Sequence, residues 1–326
     1  MSAEIAHFQN FAKLKDTSLA FNDITVLAGK PSTGKSYVMK FMYAVDEADN
    51  LSNNKTKNNN LEYASILNNL LNSIFLNCNQ ISSNFTCKYK NLSIKIAEDD
   101  HTINFNYKEF RNIENKIFVE TPLILEFKKF MKREKGKTPY HIESLLNILD
   151  TDYSFTDEEQ DKFIKDFREK SKAIIGGDIE SSGDSFIFNK EGDQNYDILN
   201  ASSGTKSIGL LQYLVTNKAL KKGSVLYWEE PEVHLHPEWQ LKMVELFIEL
   251  MNAGVKIVFS THSTFMADSL NALSKKEGFT DRVSFNLFKE NNGVVENHIL
   301  DTDKKWKLIQ DELLKSSLEE IMWQYL

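Results

Sequence analysis

The stretch AGKPSTGKSYVMKF, Ala28–Phe41, decides the local fold near the start of this chain. It follows a short β-branched run, Asp23–Leu27, which predicts a strand. After it, apolar residues recur at helical spacing, at Val38, Phe41, Met42 and Val45. A strand, a glycine-containing loop and a helix in this order, with the pattern G-x-x-x-x-G-K-S over Gly29–Ser36, predict a loop whose backbone N–H groups face phosphate.

The residue types of this loop suit a nucleotide and its magnesium ion. Lys35 would neutralise the β- and γ-phosphates, and the Ser36 hydroxyl would be a magnesium ligand. Gly29 and Gly34 allow backbone conformations that a Cβ would block. The alternative, a chance match in a turn, is disfavoured by the flanking strand and helix. ATP and Mg2+ are therefore the expected cofactors. The predicted nucleotide-binding residues here are Gly29, Lys30, Pro31, Ser32, Thr33, Gly34, Lys35, Ser36 and Tyr37.

Two adjacent carboxylates end a second apolar run, in the stretch SVLYWEEP, Ser224–Pro231. A strand end beside a phosphate loop is where hydrated magnesium needs an acidic partner and where an attacking water needs a base. Glu229 is predicted to take the metal role and Glu230 the role of catalytic base. The alternative is an exposed glutamate pair at the end of a strand.

A lone histidine ends a third apolar run, VFSTH, at His262. An imidazole at this place could hydrogen-bond the γ-phosphate and so sense whether that group is present. Taken alone, the residue would equally suit a capping or buried histidine. The other motifs favour the phosphate-sensing role.

The stretch LNASSGTK, Leu199–Lys206, begins a predicted helix. Serine and glycine backbone at a helix N-terminus attracts phosphate, although Ser202 or Ser203 could also be a plain N-cap. A single chain has no use for two such surfaces on one γ-phosphate. A head-to-tail pair of chains does, because Ser202, Ser203 and Gly204 of each chain can then close on the nucleotide of the other.

This combination of motifs resembles the ABC-type ATPases, and within them the branch of the SMC-like repair ATPases and the OLD-family ATPases. The resemblance covers roughly residues 8–45 and 199–270, and Glu120–Pro122 less firmly. The run EEPEVHLHP, Glu229–Pro237, is similar to the OLD-type strand-end motif rather than to the transporter version.

The resemblance implies roles for individual residues. Ser202 and Gly204 would act in trans, Glu230 would be the catalytic carboxylate and His262 the switch histidine. Glu120 is a candidate for the magnesium-sensing residue in the loop that links the lobes. The sequence departs from the family pattern at Thr205, where transporters have glutamine, and at Glu229, where aspartate is commoner.

The predicted fold class is α/β: an ABC-type P-loop ATPase with a mixed or parallel core sheet, an antiparallel β-subdomain and an inserted helical lobe. We expect one ATPase domain over 1–326, made of an N-terminal lobe (1–122), a helical insert (123–200) and a C-terminal part (201–326). The remaining elements predicted are a polar loop (46–60), a helix (61–75), an antiparallel meander (85–110), a strand (116–119), helices (123–175), a hairpin (185–199), a helix (208–220), a strand (225–228), a helix (238–251) and a strand (255–259).

Composition limits the partners. The net charge of −8 gives no overall electrostatic footprint for nucleic acid. The segment 128–137, KKFMKREKGK, is locally basic and could contact nucleic acid or an acidic partner, although such a helix is most often a solvated face. Cys78 and Cys87 fit neither a zinc site nor a disulfide framework, so we expect core cysteines in a reducing compartment. We find no long apolar run and no leader pattern, and we expect a cytoplasmic protein without a membrane partner.

The functional hypothesis follows from what accompanies the motifs. The span between Ser36 and Ser202 is too short for the coiled-coil arm of an SMC protein, and the sequence after His262 is too short for a nuclease domain. We therefore expect an ATPase that forms an ATP-dependent homodimer or higher oligomer and regulates a separately encoded effector, a nuclease or toxin, in prokaryotic antiviral defence. The helical insert and an amphipathic stretch over 306–326 are candidate docking surfaces. The alternatives are a nucleotide-dependent scaffold with little turnover and a DNA repair or SMC-like ATPase.

Overall fold

The structure is a computed structural model that describes residues 3–53, 60–75, 81–89, 92–96, 103–106, 114–131, 138–153, 158–291, 294–300 and 312–313. The chain divides into two compact units. Unit 1 comprises Met1–Ile113 and Val258–Leu326, and unit 2 comprises Glu114–Ile257. The predicted boundaries at 122 and 200 stay predictions. The candidate docking stretch 306–326 lies outside the described residues apart from Glu312 and Leu313.

The elements follow in chain order. The strands are β1 (Glu4–Phe11), β2 (Leu14–Phe21), β3 (Ile24–Gly29), β4 (Ile81–Tyr89), β5 (Leu92–Ile96), β6 (Ile103–Asn106), β7 (Lys116–Val119), β8 (Gly177–Ser182), β9 (Ser185–Lys190), β10 (Tyr196–Asp197), β11 (Val225–Glu229), β12 (Lys256–Thr261), β13 (Val283–Asn291) and β14 (Val294–Leu300). The helices are α1 (Lys35–Asn53), α2 (Asn60–Ile74), α3 (Ile124–Met131), α4 (Tyr140–Asp150), α5 (Glu158–Ile175), α6 (Ser203–Thr216), α7 (Pro237–Asn252) and α8 (Thr264–Glu277).

Unit 1 contains a mixed sheet. Its strands lie in the order β6-β5-β4-β1-β2-β14-β13-β3-β12. The pairs β1–β2, β1–β4, β4–β5 and β5–β6 are antiparallel, which confirms the predicted meander, whereas β13 pairs with β3 in parallel. Strand β3 is buried along its whole length. Phe41 of α1 packs among Phe8, Phe11 and Phe85 with ring centroids 5.2–5.8 Å apart, so aromatic packing joins the helix after the glycine loop to the antiparallel strands.

The predicted polar loop over 46–60 is wrong for its first part, because α1 continues to Asn53. Asp46, Glu47 and Asp49 are all buried in spite of their charge. Ala48, between Glu47 and Asp49, is buried as well, and the Tyr63 hydroxyl of α2 donates to the Val45 carbonyl at 3.3 Å. Packing against α2 therefore extends the helix beyond the point where composition predicts its end. Residues 54–59 of the predicted loop lie outside the described part.

Unit 2 contains the parallel pair β7–β11, helices α3 to α7 and a separate antiparallel sheet in the order β10-β9-β8. Three helices, α3, α4 and α5, confirm the helical segment predicted over 123–175. The predicted hairpin over 185–199 is confirmed as β9 and β10, but it gains β8, which the sequence analysis missed. The glycine pair after α5 suggested only a helix end. Gly177 instead begins β8, where a Cβ would lie 2.4 Å from the Asn189 carbonyl oxygen.

The fold class is α/β, with a mixed core sheet, an antiparallel β-subdomain and a helical segment. Cys87 is buried, as expected for a core residue, and burial raises the pKa of its thiol, whereas Cys78 lies outside the described residues. Among the helices of the described residues, none has the length and apolar content to cross a membrane.

Candidate active site

The glycine loop of unit 1 lies between β3 and α1, and its two glycines are required for different reasons. Gly29 has φ 149°, and a Cβ there would lie 2.5 Å from the carbonyl oxygen of Phe288 on the neighbouring β13. Gly34 has φ 93° with open space around it, so only its backbone conformation requires glycine. Ser32 also has a positive φ, 61°. The loop therefore has an unusual backbone that places its N–H groups ahead of α1.

Lys35 lies inside this loop. Its Nζ donates to the carbonyl oxygens of Gly29 and Lys30, each at 2.8 Å, and the side chain is 5% exposed. The Thr33 hydroxyl donates to the same Lys30 carbonyl at 2.9 Å. No acidic residue occupies the first turn of α1. A buried cation at a helix N-terminus suits an anionic ligand.

The other loop residues differ in exposure. The Lys30 Nζ lies 3.5 Å from Oε1 of Glu312, and Oε2 of Glu312 lies 3.5 Å from Nζ of Lys289. The backbone of Lys30 thus belongs to the loop while its side chain pairs with the C-terminal segment. Pro31 and Ser32 are exposed, and Ser36 and Tyr37 are half-buried. The Tyr37 ring stacks on Phe75, with centroids 5.4 Å apart.

His262 also belongs to unit 1, immediately after β12. The residue that caps the following helix is Ser263, whose Oγ accepts from the backbone N of Met266 at 3.2 Å. The Thr261 hydroxyl accepts from the backbone N of Ser263 at 2.9 Å. His262 is therefore half-buried between a strand end and a helix N-terminus, and it is not the cap that the alternative interpretation suggested.

The carboxylate pair lies in unit 2 at the end of β11. Glu229 is the last residue of the strand, and Glu230 follows with φ 46°. A residue other than glycine in the left-handed region costs about 1–2 kcal/mol, and such strain is concentrated at functional sites. The Glu230 carbonyl accepts from the backbone N of Val233 at 3.0 Å, which closes the turn.

Parallel pairing of β7 with β11 brings a third carboxylate to the same edge. Trp228 is opposite Val119 in the register, so Glu120 and Glu229 follow the same pair. Oε2 of Glu120 lies 3.0 Å from Nε2 of His141, in the first turn of α4. Glu120 is predicted from the sequence, whereas His141 is not, because a single histidine on a helix has no local signal for its partner.

Ser202 is the N-cap of α6: its Oγ accepts from the backbone N of Thr205 at 3.1 Å. The N-cap interpretation therefore describes its geometry, while its role towards a partner chain stays a prediction. Ser203 starts the helix and Gly204 is buried, with a Cβ position 3.3 Å from both the His234 carbonyl oxygen and the Trp239 ring. The helix N-terminus thus packs against the turn that follows the carboxylate pair, within unit 2.

Lys206 stabilises the residues that precede this helix, a role that has no signal in the sequence. Its buried Nζ lies 2.5 Å from Oε1 of Glu126 on α3 and donates to the Leu199 carbonyl at 3.2 Å. The Asp197 carboxylate accepts from the backbone N of Leu199 at 2.9 Å. These bonds hold the stretch before Ser202 in one conformation.

The predicted polyanion contact of the basic segment 128–137 is wrong for its first residue, Lys128. Lys128 is 1% exposed, its Nζ lies 3.0 Å from Oδ1 of Asp150, and it stands 4.5 Å from the centroid of the Phe186 ring. A buried and paired lysine is not available to a polyanion. Residues 132–137 lie outside the described residues, so the remaining basic side chains stay a prediction for nucleic-acid contact.

Together, the mixed sheet and the antiparallel β-subdomain give this chain the fold of the ABC-type P-loop ATPases. Its fold is similar to that of the SMC head bound to the C-winged helix domain of ScpA, with 12% identity, a TM-score of 0.52 and coverage of 94% of this chain and 100% of that one. It is also similar to the SMC head domain from Thermotoga maritima, with 13% identity, a TM-score of 0.50 and coverage of 93% and 100%.

The chain belongs to the family described as "AAA domain, putative AbiEii toxin, Type IV TA system", whose model matches residues 45–268. The match contains Ser202, Glu229, Glu230 and His262 and begins after the glycine loop. No protein of curated function matches the chain.

Proposed function

We propose that this chain binds ATP with magnesium at the loop Gly29–Ser36, hydrolyses it in a head-to-tail pair of chains, and uses the cycle to regulate a separately encoded effector. The observation that carries the proposal is the placement of Lys35 in the loop, 5% exposed and bonded to two loop carbonyls. A lysine held at the N-terminus of α1 is pre-organised for the β- and γ-phosphates.

The residues present suit magnesium as well. Ser36 offers a hydroxyl and Glu229 a carboxylate oxygen, and magnesium prefers oxygen ligands. When bound, the ion would neutralise charge that develops on the phosphates. Glutamate in place of the commoner aspartate reaches one methylene further, so Glu229 can contact the ion through its water shell.

Glu230 is proposed as the base that accepts a proton from the attacking water. Its backbone is held at φ 46° by the turn that Val233 closes, so the carboxylate direction is set by the fold. His262 is proposed to hydrogen-bond the γ-phosphate. It is half-buried at the end of β12, with Ser263 as the cap of the next helix, so the imidazole is not needed for capping.

The pairing of two chains is supported by the surface around the N-terminus of α6. Ser202 is exposed, and two apolar side chains near it are exposed too, Leu199 at 49% and Val233 at 39%. A Cβ at Gly204 would lie 3.3 Å from the His234 carbonyl oxygen, so these two loops lie side by side. An exposed helix N-terminus flanked by apolar side chains suits a protein contact that also contains an anion.

We predict that the double variant L199E/V233E prevents the ATP-dependent dimer. Both side chains are exposed, so the change should alter folding stability by less than about 0.5 kcal/mol while it introduces two carboxylates at the proposed contact. Light scattering of a hydrolysis-deficient background with and without ATP measures the mass. The matched control is I5E, which adds a charge at another exposed apolar position, 48% exposed on β1. A double variant that still dimerises with ATP contradicts this interface.

The proposed output is control of another protein in antiviral defence. The family description names a putative toxin and a toxin–antitoxin system, and the similar SMC head is a complex with a winged-helix domain of ScpA. Both facts support an ATPase whose conformational cycle acts through a second chain.

The experiment uses the Glu230→Gln variant, which should hold ATP without hydrolysing it. We expect the product of an adjacent reading frame to co-purify with it at fixed stoichiometry in the presence of ATP, and less when ATP is withheld. Cells that lack the gene should change in phage sensitivity. If nothing co-purifies and phage sensitivity is unchanged, the defence role is wrong. A dimer that binds ATP but shows no turnover in the wild type would instead support the scaffold alternative.

A further inference from the structure

We propose that His141 is a positioning residue that holds the Glu120 carboxylate beside Glu229, so that α4 controls how the site responds to magnesium. The inference rests on the proposed function, since it concerns how the site is set for the magnesium–nucleotide. It goes beyond the motif residues, because His141 belongs to none of them and lies in the helical segment.

The first step is the strand register. In unit 2, β7 and β11 are parallel, with Val119 opposite Trp228. The next residues, Glu120 and Glu229, therefore leave the sheet at the same edge from neighbouring strands, which lie about 4.8 Å apart. Two carboxylates on neighbouring strands at one edge would repel each other, and a cation or a hydrogen-bond donor lowers that repulsion. Within this edge, Glu120 has such a partner in His141.

The second step is the difference in burial between the two partners. The His141 side chain is 2% exposed and that of Glu120 is 37% exposed, with Nε2 and Oε2 3.0 Å apart. The imidazole is thus enclosed by the protein, whereas more than a third of the Glu120 side chain is exposed to solvent. The Phe118 ring meets the imidazole edge-on, with centroids 5.1 Å apart and an interplanar angle of 72°. Ring packing and the hydrogen bond together restrict the imidazole to one orientation.

The position of His141 in the chain connects the carboxylate to a helix. His141 is in the first turn of α4, after Pro139, whose carbonyl accepts from the backbone N of Ile142 at 3.0 Å. Any shift of α4 along its axis moves the imidazole and with it the Glu120 carboxylate. The helical segment is thereby connected to the edge that carries Glu229, through a hydrogen bond that can be removed without cutting the chain.

The alternative is that His141 only packs α4 against the sheet. Two variants separate the roles. His141→Phe keeps an aromatic ring against Phe118 but removes the bond to Glu120, whereas His141→Gln can still donate to the carboxylate. If His141 only packs α4, His141→Gln should impair the protein more than His141→Phe. If His141 positions Glu120, His141→Phe should impair the magnesium dependence more than His141→Gln.

The measurement is binding of a fluorescent ATP analogue with magnesium and with a chelator, together with turnover as magnesium is varied. In His141→Phe we expect the magnesium concentration for half-maximal turnover to rise about 10-fold, the usual scale for loss of a residue that orients a ligand. Its affinity without magnesium should equal that of the wild type. His141→Gln should stay close to the wild type in both measurements.

The double variant H141F/E120Q provides the coupling test. If His141 acts through Glu120, the double variant should be no more impaired in magnesium dependence than E120Q alone. Additive losses, or a His141→Phe variant with unchanged magnesium dependence, would overturn the inference while the proposed function stands. A wild type that binds no ATP in either condition would instead refute the proposed function, and this inference with it.

Discussion

Replacing Lys35 by alanine is expected to abolish ATP binding at micromolar concentrations. The side chain is the buried cation of the loop, and each charge-assisted hydrogen bond to a phosphate contributes about 1.5–3 kcal/mol. Loss of two such bonds weakens binding by at least about 100-fold. Titration calorimetry or a fluorescent ATP analogue measures the change. Micromolar affinity in Lys35→Ala would refute the nucleotide site.

The matched control for this variant is Lys30→Ala, since Lys30 is another of the predicted loop residues. Its Nζ is 3.5 Å from Oε1 of Glu312, and its side chain is 47% exposed. Because the ammonium pairs with the C-terminal segment and the solvent, its loss should weaken ATP binding far less than loss of Lys35. Removal of Lys35 takes a hydrogen-bond donor from the Gly29 and Lys30 carbonyls. Thermal unfolding of both variants checks that this loss does not destabilise the fold.

Replacing Glu230 by glutamine is expected to stop hydrolysis while ATP binding is retained. Glutamine has nearly the same shape and can follow the same turn at φ 46°, but its amide cannot accept the proton of the attacking water. General base catalysis contributes a rate factor of about 10²–10⁴, so turnover should fall by a factor in that range. Phosphate release measures turnover, and analogue binding shows that the site is intact.

Glu229→Gln is the control for this second variant, because it changes the neighbouring carboxylate, which is proposed to contact magnesium. Its defect should be partly relieved by excess magnesium, whereas the defect of Glu230→Gln should not. Turnover in Glu230→Gln within a few-fold of the wild type would mean that another group is the base.

Local signals in the sequence led to most of the candidate site. The glycine loop, the two glutamates after β11 and the serine at the start of α6 are each recognised within about ten residues, because strand periodicity, glycine conformation and helix capping act between near neighbours. The same local reasoning failed for Asp46–Asn53, where polar composition predicts a loop. Packing against α2 keeps that segment helical.

Side chains that depend on distant partners escaped prediction. Lys128 and Lys206 have the same local pattern as solvated lysines, but both are buried and paired with acids from other elements. His141 is likewise assigned only by its distance to Glu120. A sequence pattern records whether a residue is charged, but the partner that makes burial of the charge tolerable comes from another part of the chain.

The sequence by itself predicted the order strand β3, glycine loop, helix α1, since this order follows from the conformational preferences of adjacent residues, and its motifs indicated the class of protein by their resemblance to a known family. Only the tertiary structure decided why Gly29 must be a glycine, because the atom that excludes a Cβ is the carbonyl oxygen of Phe288 on β13. It also decided where the buried lysines lie: Lys35 bonds to carbonyls of the glycine loop, while Lys128 pairs with Asp150. The physical reason is that close packing and charge pairing act through space, between residues whose separation along the chain leaves no pattern in the sequence.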